Sequence, residues 1–258
     1  MVTGLELFRD WFTGFEDCYT LIGGAACDLW MEEQRLSFRA TVDLDLVLVY
    51  EGQRPDFVRR LWAFVKKGAY QGYQAGESPR NFYRFHKPKS EGFPLKLEIC
   101  TKRPISVPSG AKFARIESGE GLSSLSALLL DPAYFDLVRK NSRLIKGVPT
   151  ATGSCLIPLK AKAWLNLSDG KASGLKTDQG DVEKHRPDVF RLLVTLVPTD
   201  KIELPASVRE DLRKFIDLLP LDSPVWPRIA QSCRSSSRLR LPPPAELIRA
   251  FREFYDLD

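Results

Sequence analysis

Two short patterns have the residue types and the spacing to do chemistry. The first is Gly23-Gly24; the second, farther along, is Asp43-Leu44-Asp45. Glycines let a backbone approach a phosphate closely, and the first free N–H groups of a helix starting just after them can point at it. Strand period 2 puts Asp43 and Asp45 on one face, with Leu44, Leu46 and Leu48 on the other. Two neighbouring carboxylates repel each other unless a cation lies between them. Hard carboxylate oxygens suit Mg²⁺, which keeps waters and takes further ligands from a polyphosphate. A two-metal site wants a third carboxylate from a neighbouring strand. Glu98 in Leu95-Lys96-Leu97-Glu98-Ile99 is the candidate, because the apolar residues share one face and leave Lys96, Glu98 and Cys100 on the other.

Separately the patterns are common: Gly-Gly is a frequent turn, and alternating acids often mark a solvated strand face. Their order makes them specific. Tyr19-Thr20-Leu21-Ile22 reads as a short buried strand, Gly23-Gly24 follows, and AACDLWMEEQ then reads as a helix. Thr41 to Tyr50 is an alternating, β-branched strand carrying the acids. Around this core the pattern predicts a helix over 5–16, a helix from Pro55 closed by Gly68, and strands over Asn81–His86 and Leu95–Thr101. Residues 104–125, rich in Pro, Gly and Ser, read as loop with a strand or two.

From about residue 122 the character changes. SLSALLL, PLKAKAWLNL, DVEKHRPDVFRLLVTL, ASVREDLRKFIDLL and AELIRAFREFY all read as helices. SCRSSSRLRLPPP reads as an exposed basic linker before the last of them. The expected fold class is therefore α+β: a small mixed sheet flanked by helices over 1–120, then a mainly helical domain over 121–258 that completes the site.

GGAACDLWMEEQRLSFRATVDLDLVL resembles the core of the nucleotidyltransferase superfamily, in the version found in AbiE-type toxin proteins. There an arginine and a threonine shortly precede the acidic pair, as Arg39 and Thr41 do here. Those proteins also carry a helical lysine, followed by a K-D-x-x-D-like element on a later helix. PLKAKAWLNL supplies Lys160 and Lys162 in the first place, and Lys184-His185-Arg186-Pro187-Asp188 stands in the second. His185 replaces the first acid of that element, leaving Asp181 or Asp188 as the lysine's acidic partner. The resemblance spans 20–50 closely and 95–195 loosely, and it implies a polymerase-beta-like fold.

It further implies Mg²⁺-dependent transfer of a nucleotide from an NTP to an acceptor hydroxyl, with two ions at Asp43, Asp45 and Glu98 and with pyrophosphate released. Gly23, Gly24, Arg39, Thr41, Lys160, Lys184 and His185 would bind the nucleotide. Lys162 and Asp188 would join the catalytic set; Lys160 and Lys162 are two apart, so only one faces the site, and Lys162 fits the family pattern better. The acceptor implied is a tRNA 3′ end or a protein hydroxyl, with an antitoxin protein as partner. The competing readings are a small-molecule (antibiotic) nucleotidyltransferase and a nucleotide-binding regulatory module without catalysis.

Composition bounds these readings. The 258 residues are 43% hydrophobic and 28% charged, ordinary for a globular chain, with a net charge of +5 that permits a polyanionic partner without demanding one. Two histidines exclude a multi-histidine metal site, and five scattered cysteines include no C-x-x-C pair. No apolar run is long enough to span a bilayer, so no membrane is expected and the cytoplasm is the expected location. Arg234, Arg238 and Arg240 read as linker charge, and Trp164 and Trp226 as core.

Overall fold

The computed structural model describes residues 2–50, 54–75, 82–102, 114–115, 131–172 and 179–258, without the side chains of 72–75, 82, 114–115, 170–172 and 179–183. In chain order the elements are α1 (Leu5–Trp11), β1 (Tyr19–Ile22), α2 (Gly23–Glu33), β2 (Asp43–Leu48), α3 (Pro55–Gly68), β3 (Gln71–Ala75), β4 (Phe82–His86), β5 (Lys96–Thr101) and β6 (Ala114–Arg115). There follow α4 (Pro132–Lys140), β7 (Ser142–Ile145), β8 (Val148–Ala151), α5 (Gly153–Ala172), α6 (Gln179–Leu193), α7 (Ala206–Asp217), α8 (Trp226–Ser237) and α9 (Pro244–Tyr255).

Among the described residues the strands form one mixed sheet in the order β6-β3-β4-β5-β2-β1-β8-β7. The acid-bearing β2 sits near its middle, antiparallel to β1 and parallel to β5. A central position demands apolar residues behind the acids, and Leu44, Leu46 and Leu48 are buried there. Phe8 of α1, Phe12 just after it, and Phe57 and Phe64 of α3 pack with Tyr19 in one aromatic cluster. The same core continues through the helices of the later half: Trp164 packs edge-on against Phe215 of α7, and Phe190 of α6 against Trp226 of α8. No helix among the described residues is long and apolar enough to cross a membrane.

The architecture is thus a mixed sheet flanked by helices followed by a mainly helical region; besides the unexpected strand β3, it departs from the pattern-based expectation in three places. First, β7 and β8 form a hairpin that adds to the sheet through parallel pairing of β8 with β1 (Leu21 opposite Thr150). Its signal was the two-residue loop Lys146-Gly147, both at positive φ (49° and 79°) as a tight hairpin turn requires. Second, the first half of the sequence expected as an exposed linker is helix: Ser232–Ser237 end α8, and Cys233 and Ser237 are buried. The helical spacing of Trp226, Ile229 and Cys233 outweighs the serine-rich composition because those three side chains meet the core. Third, the first helix ends at Trp11 and not near residue 16. The expected SLSALLL helix lies outside the described residues.

Candidate active site

Strand β1 delivers the chain directly into α2, whose first residue is Gly23. Gly23 adopts φ +72°, a left-handed conformation that favours glycine. A Cβ at that position would lie 1.9 Å from Asp45 Oδ2. One at Gly24 would lie 2.5 Å from Thr41 Oγ1. The two glycines therefore let α2 start flush against the acidic strand, and the space a side chain would fill belongs to Asp45 and Thr41. Ile22 stands opposite Asp45 in the sheet register, which fixes this approach.

On the other side of β2 the parallel register sets Asp43 opposite Lys96 and Asp45 opposite Glu98, and β4 sets Arg84 opposite Glu98. Lys96 Nζ donates to Asp43 Oδ2 at 3.0 Å and pairs with Glu98 Oε1 at 2.8 Å. Arg84 Nε donates to the same Glu98 oxygen at 2.8 Å. Glu98 is buried beneath this pair of cations. Burial first, then the charges of Glu98 and Asp43, push the Asp45 carboxyl up to about 7; Lys96 and Lys160 oppose them.

Asp43 and Asp45 suit a divalent ion: hard oxygens share one strand face, and the displaced Asp45 shows negative charge that nearby cations leave under-compensated. Glu98, expected as the third ligand, is held by cations here. Its carboxylate is engaged by Arg84 and Lys96, and among the described residues no three carboxylate, histidine or cysteine side chains converge to hold a metal. The spacing that placed Glu98 in front of its strand also placed Lys96 there, and the register lets the lysine reach both acids.

A second charged cluster faces the first from α5, α6 and the segment after α2. Asp188 of α6 is fully buried, and three cations converge on it. Arg39 donates through Nη2 at 2.8 Å and Nε at 3.1 Å, Lys160 Nζ lies at 3.2 Å, and Arg191 Nη1 donates at 2.6 Å. Burial pushes the Asp188 carboxyl up, but Lys160, Arg39 and Arg191 outweigh it and hold it well below the usual carboxylate range. Arg191 is itself anchored by Ser232 and Ser236 of α8 at 2.7–2.8 Å. Burial and the adjacent Lys160 keep His185 neutral, far below its ordinary pKa, and its Nδ1 has no hydrogen-bond partner among the described residues. The charges of Lys160 and Arg39 also reach Asp45, so the two clusters form one electrostatic unit.

The structure brings together Gly23, Gly24, Arg39, Thr41, Asp43, Asp45, Glu98, Lys160, His185 and Asp188 of the residues expected at the site. Lys184 is half-buried beside His185, and the side chain of Asp181 lies outside the described residues. Lys162 is a correction: its ammonium donates to Asp211 of α7 at 2.7 Å, where Tyr134 also donates. Two residues along a helix turn a side chain through roughly 200°, so with Lys160 facing Asp188 its neighbour must face away. Pattern reading missed Lys96, Arg84 and Arg191. Lys96 was legible as a same-face neighbour of Glu98, whereas Arg84 and Arg191 depend on cross-strand and interhelical register.

No family model matches the chain, and no curated protein matches it. Among solved structures it is similar to the crystal structure of an antigenic nucleotidyltransferase-like protein from Paracoccidioides brasiliensis. The two are 13% identical, with 89% of this chain and 90% of that one covered and a TM-score of 0.44. A likeness of that size carries no residue correspondence, and the function is read from the site.

Proposed function

We propose that this chain is a divalent-cation-dependent nucleotidyltransferase of the polymerase-beta-like class, moving a nucleoside monophosphate from an NTP to an acceptor hydroxyl. The observation that carries the reading is the juxtaposition of Asp43 and Asp45 with Lys160 and Arg39: paired acids on a central strand, seated against Gly23, with the buried Lys160 and the part-buried Arg39 across from them. Acids for metal and cations for phosphate are the two halves of a phosphoryl-transfer site.

In this reading Asp43 and Asp45 hold Mg²⁺, which when bound lowers the pKa of the acceptor hydroxyl and polarises the α-phosphate. Lys160 and Arg39, held by Asp188, present positive charge to the polyphosphate and to the departing pyrophosphate. Asp188 thereby acts as a positioning residue, fixing both cations in a buried, preorganised array. Glu98, pinned by Arg84, contributes negative charge behind the pair without ligating. Gly23 keeps the start of α2 close to the acids, so that its N–H groups add to the phosphate-binding surface.

The acceptor class we propose is a tRNA 3′ end or a protein hydroxyl, within a toxin–antitoxin pair, on the motif resemblance of Arg39, Thr41, Asp43 and Asp45. Incubation with each labelled NTP, Mg²⁺ and total tRNA or cell lysate tests it. Transfer of label that disappears in Asp43→Ala and Asp45→Ala supports the enzyme, and the labelled species identifies the acceptor. NTP binding without labelling of RNA, protein or small molecules supports a nucleotide-binding module instead. That second reading draws on one observation: Lys96 and Arg84 already neutralise Asp43 and Glu98.

A further inference from the structure

The cation at the acidic strand is part of the chain. Lys96 reaches from β5 to bridge Asp43 and Glu98 at 3.0 and 2.8 Å, and its charge also acts on Asp45. No other side chain touches both flanking acids among the interactions described. Parallel register puts the lysine directly opposite Asp43 and two residues before Glu98, so the bridge is built by the backbone. Its side chain is 29% exposed, as is Asp43 at 31%, which leaves the ammonium an open path to water.

We propose that Lys96 is a tethered counter-cation: it holds the carboxylates in place when no divalent ion is bound, and an arriving ion must displace it from Asp43. The proposal rests on the reading of Asp43 and Asp45 as cation ligands. A lysine suits such an exchange because its charge is compact and sits on a flexible four-carbon stem. Arg84 supplies the contrast: a guanidinium donating to Glu98 from a neighbouring strand, 17% exposed against 29% for Lys96, stays when Lys96 leaves. Glu98 therefore keeps a cation partner throughout. Lys96 also offsets part of the repulsion among the three acids, and it sets cation affinity lower than an unguarded acid pair would give.

Binding of Mn²⁺ to the full chain, followed by calorimetry and by the electron paramagnetic resonance of free Mn²⁺, tests this. Lys96→Met, with native circular dichroism, is expected to bind Mn²⁺ about tenfold more tightly than wild type, because a competing positive charge is gone. Lys96→Arg, which restores the charge, is expected to return toward wild type. Unchanged or weaker binding in folded Lys96→Met overturns the proposal, as does absence of Mn²⁺ binding in both chains.

Should Lys96→Met fail to fold, the wild type decides by lysine footprinting: reductive methylation read by mass spectrometry, with and without Mn²⁺. Lys96 is expected to become more reactive when Mn²⁺ is present, while Lys162, paired with Asp211, stays constant. Equal Lys96 reactivity in both conditions overturns the proposal. Label transfer from NTP is measured separately. Tightened Mn²⁺ binding without transfer keeps the counter-cation and removes the enzyme; transfer without tightening does the reverse.

Discussion

The carboxylate of Asp45 occupies the space that a side chain on residue 23 would need: a Cβ there would lie 1.9 Å from Oδ2. Gly23 also adopts φ +72°. Gly23→Ala thus meets a backbone penalty and a clash with the acid together. We expect a loss of about 1–3 kcal/mol in denaturant unfolding. Cation binding should weaken as well, because Asp45 must move. Gly14, at φ +85° with nothing near its Cβ position, is the control: alanine there should show the backbone penalty alone and leave cation binding intact.

Asp45 carries a conflict between stability and function. Its carboxyl is pushed up to about 7 by burial, Glu98 and Asp43, against about 4 in an unfolded chain. Between those values the folded chain keeps a proton that the unfolded chain has released, so this group lowers stability as pH rises from about 4 to 7. Asp45→Asn removes the effect. With chelator present, the variant is expected to be more stable than wild type by about 1–3 kcal/mol at pH 8. The gain should vanish near pH 4, and nucleotide transfer should be lost. Equal melting temperatures at both pH values would refute it.

His185 gives the opposite slope. Burial and Lys160 hold its pKa well below 6.5, so below pH 6.5 the unfolded chain binds a proton that the folded chain refuses. Stability from this group is complete above pH 6.5 and falls as pH drops. Relative to wild type, His185→Gln is expected to become progressively more stable as pH falls from about 6.5 to 5, because Asp45 gives both chains the same opposing slope. A stability difference between the two chains that stays constant over that range would sink the assignment.

Asp188 and the two lysines of α5 separate buried from exposed charge. Asp188→Asn leaves Lys160, Arg39 and Arg191 without their shared carboxylate, and we expect a cost of about 3–5 kcal/mol. Lys162→Met breaks a part-exposed pair with Asp211 and should cost about 0–1 kcal/mol. Lys160→Met is expected to depress nucleotide transfer by at least about a hundredfold, and Lys162→Met by less than about threefold, read as kcat/KM on the labelled acceptor. Equal losses would show that the α5 lysines do not divide in this way.

What the sequence by itself determined is the local grammar of the site. A buried run ending in Gly23-Gly24, and acids alternating with leucines, need no distant residue to be read: strand period 2 fixes which side chains share a face. The same rule set Lys96 beside Glu98, and helical period set Lys160 and Lys162 apart. Which partner each face meets is decided only by tertiary structure. Cross-strand register gave Glu98 to Arg84 and Lys96. Docking of α6 and α8 gave Asp188 to Arg39, far away in the chain, and drew the serines of an apparent linker onto Arg191. Periodicity specifies direction along one element; ion pairs depend on distances between elements, and those are set by packing of the whole core.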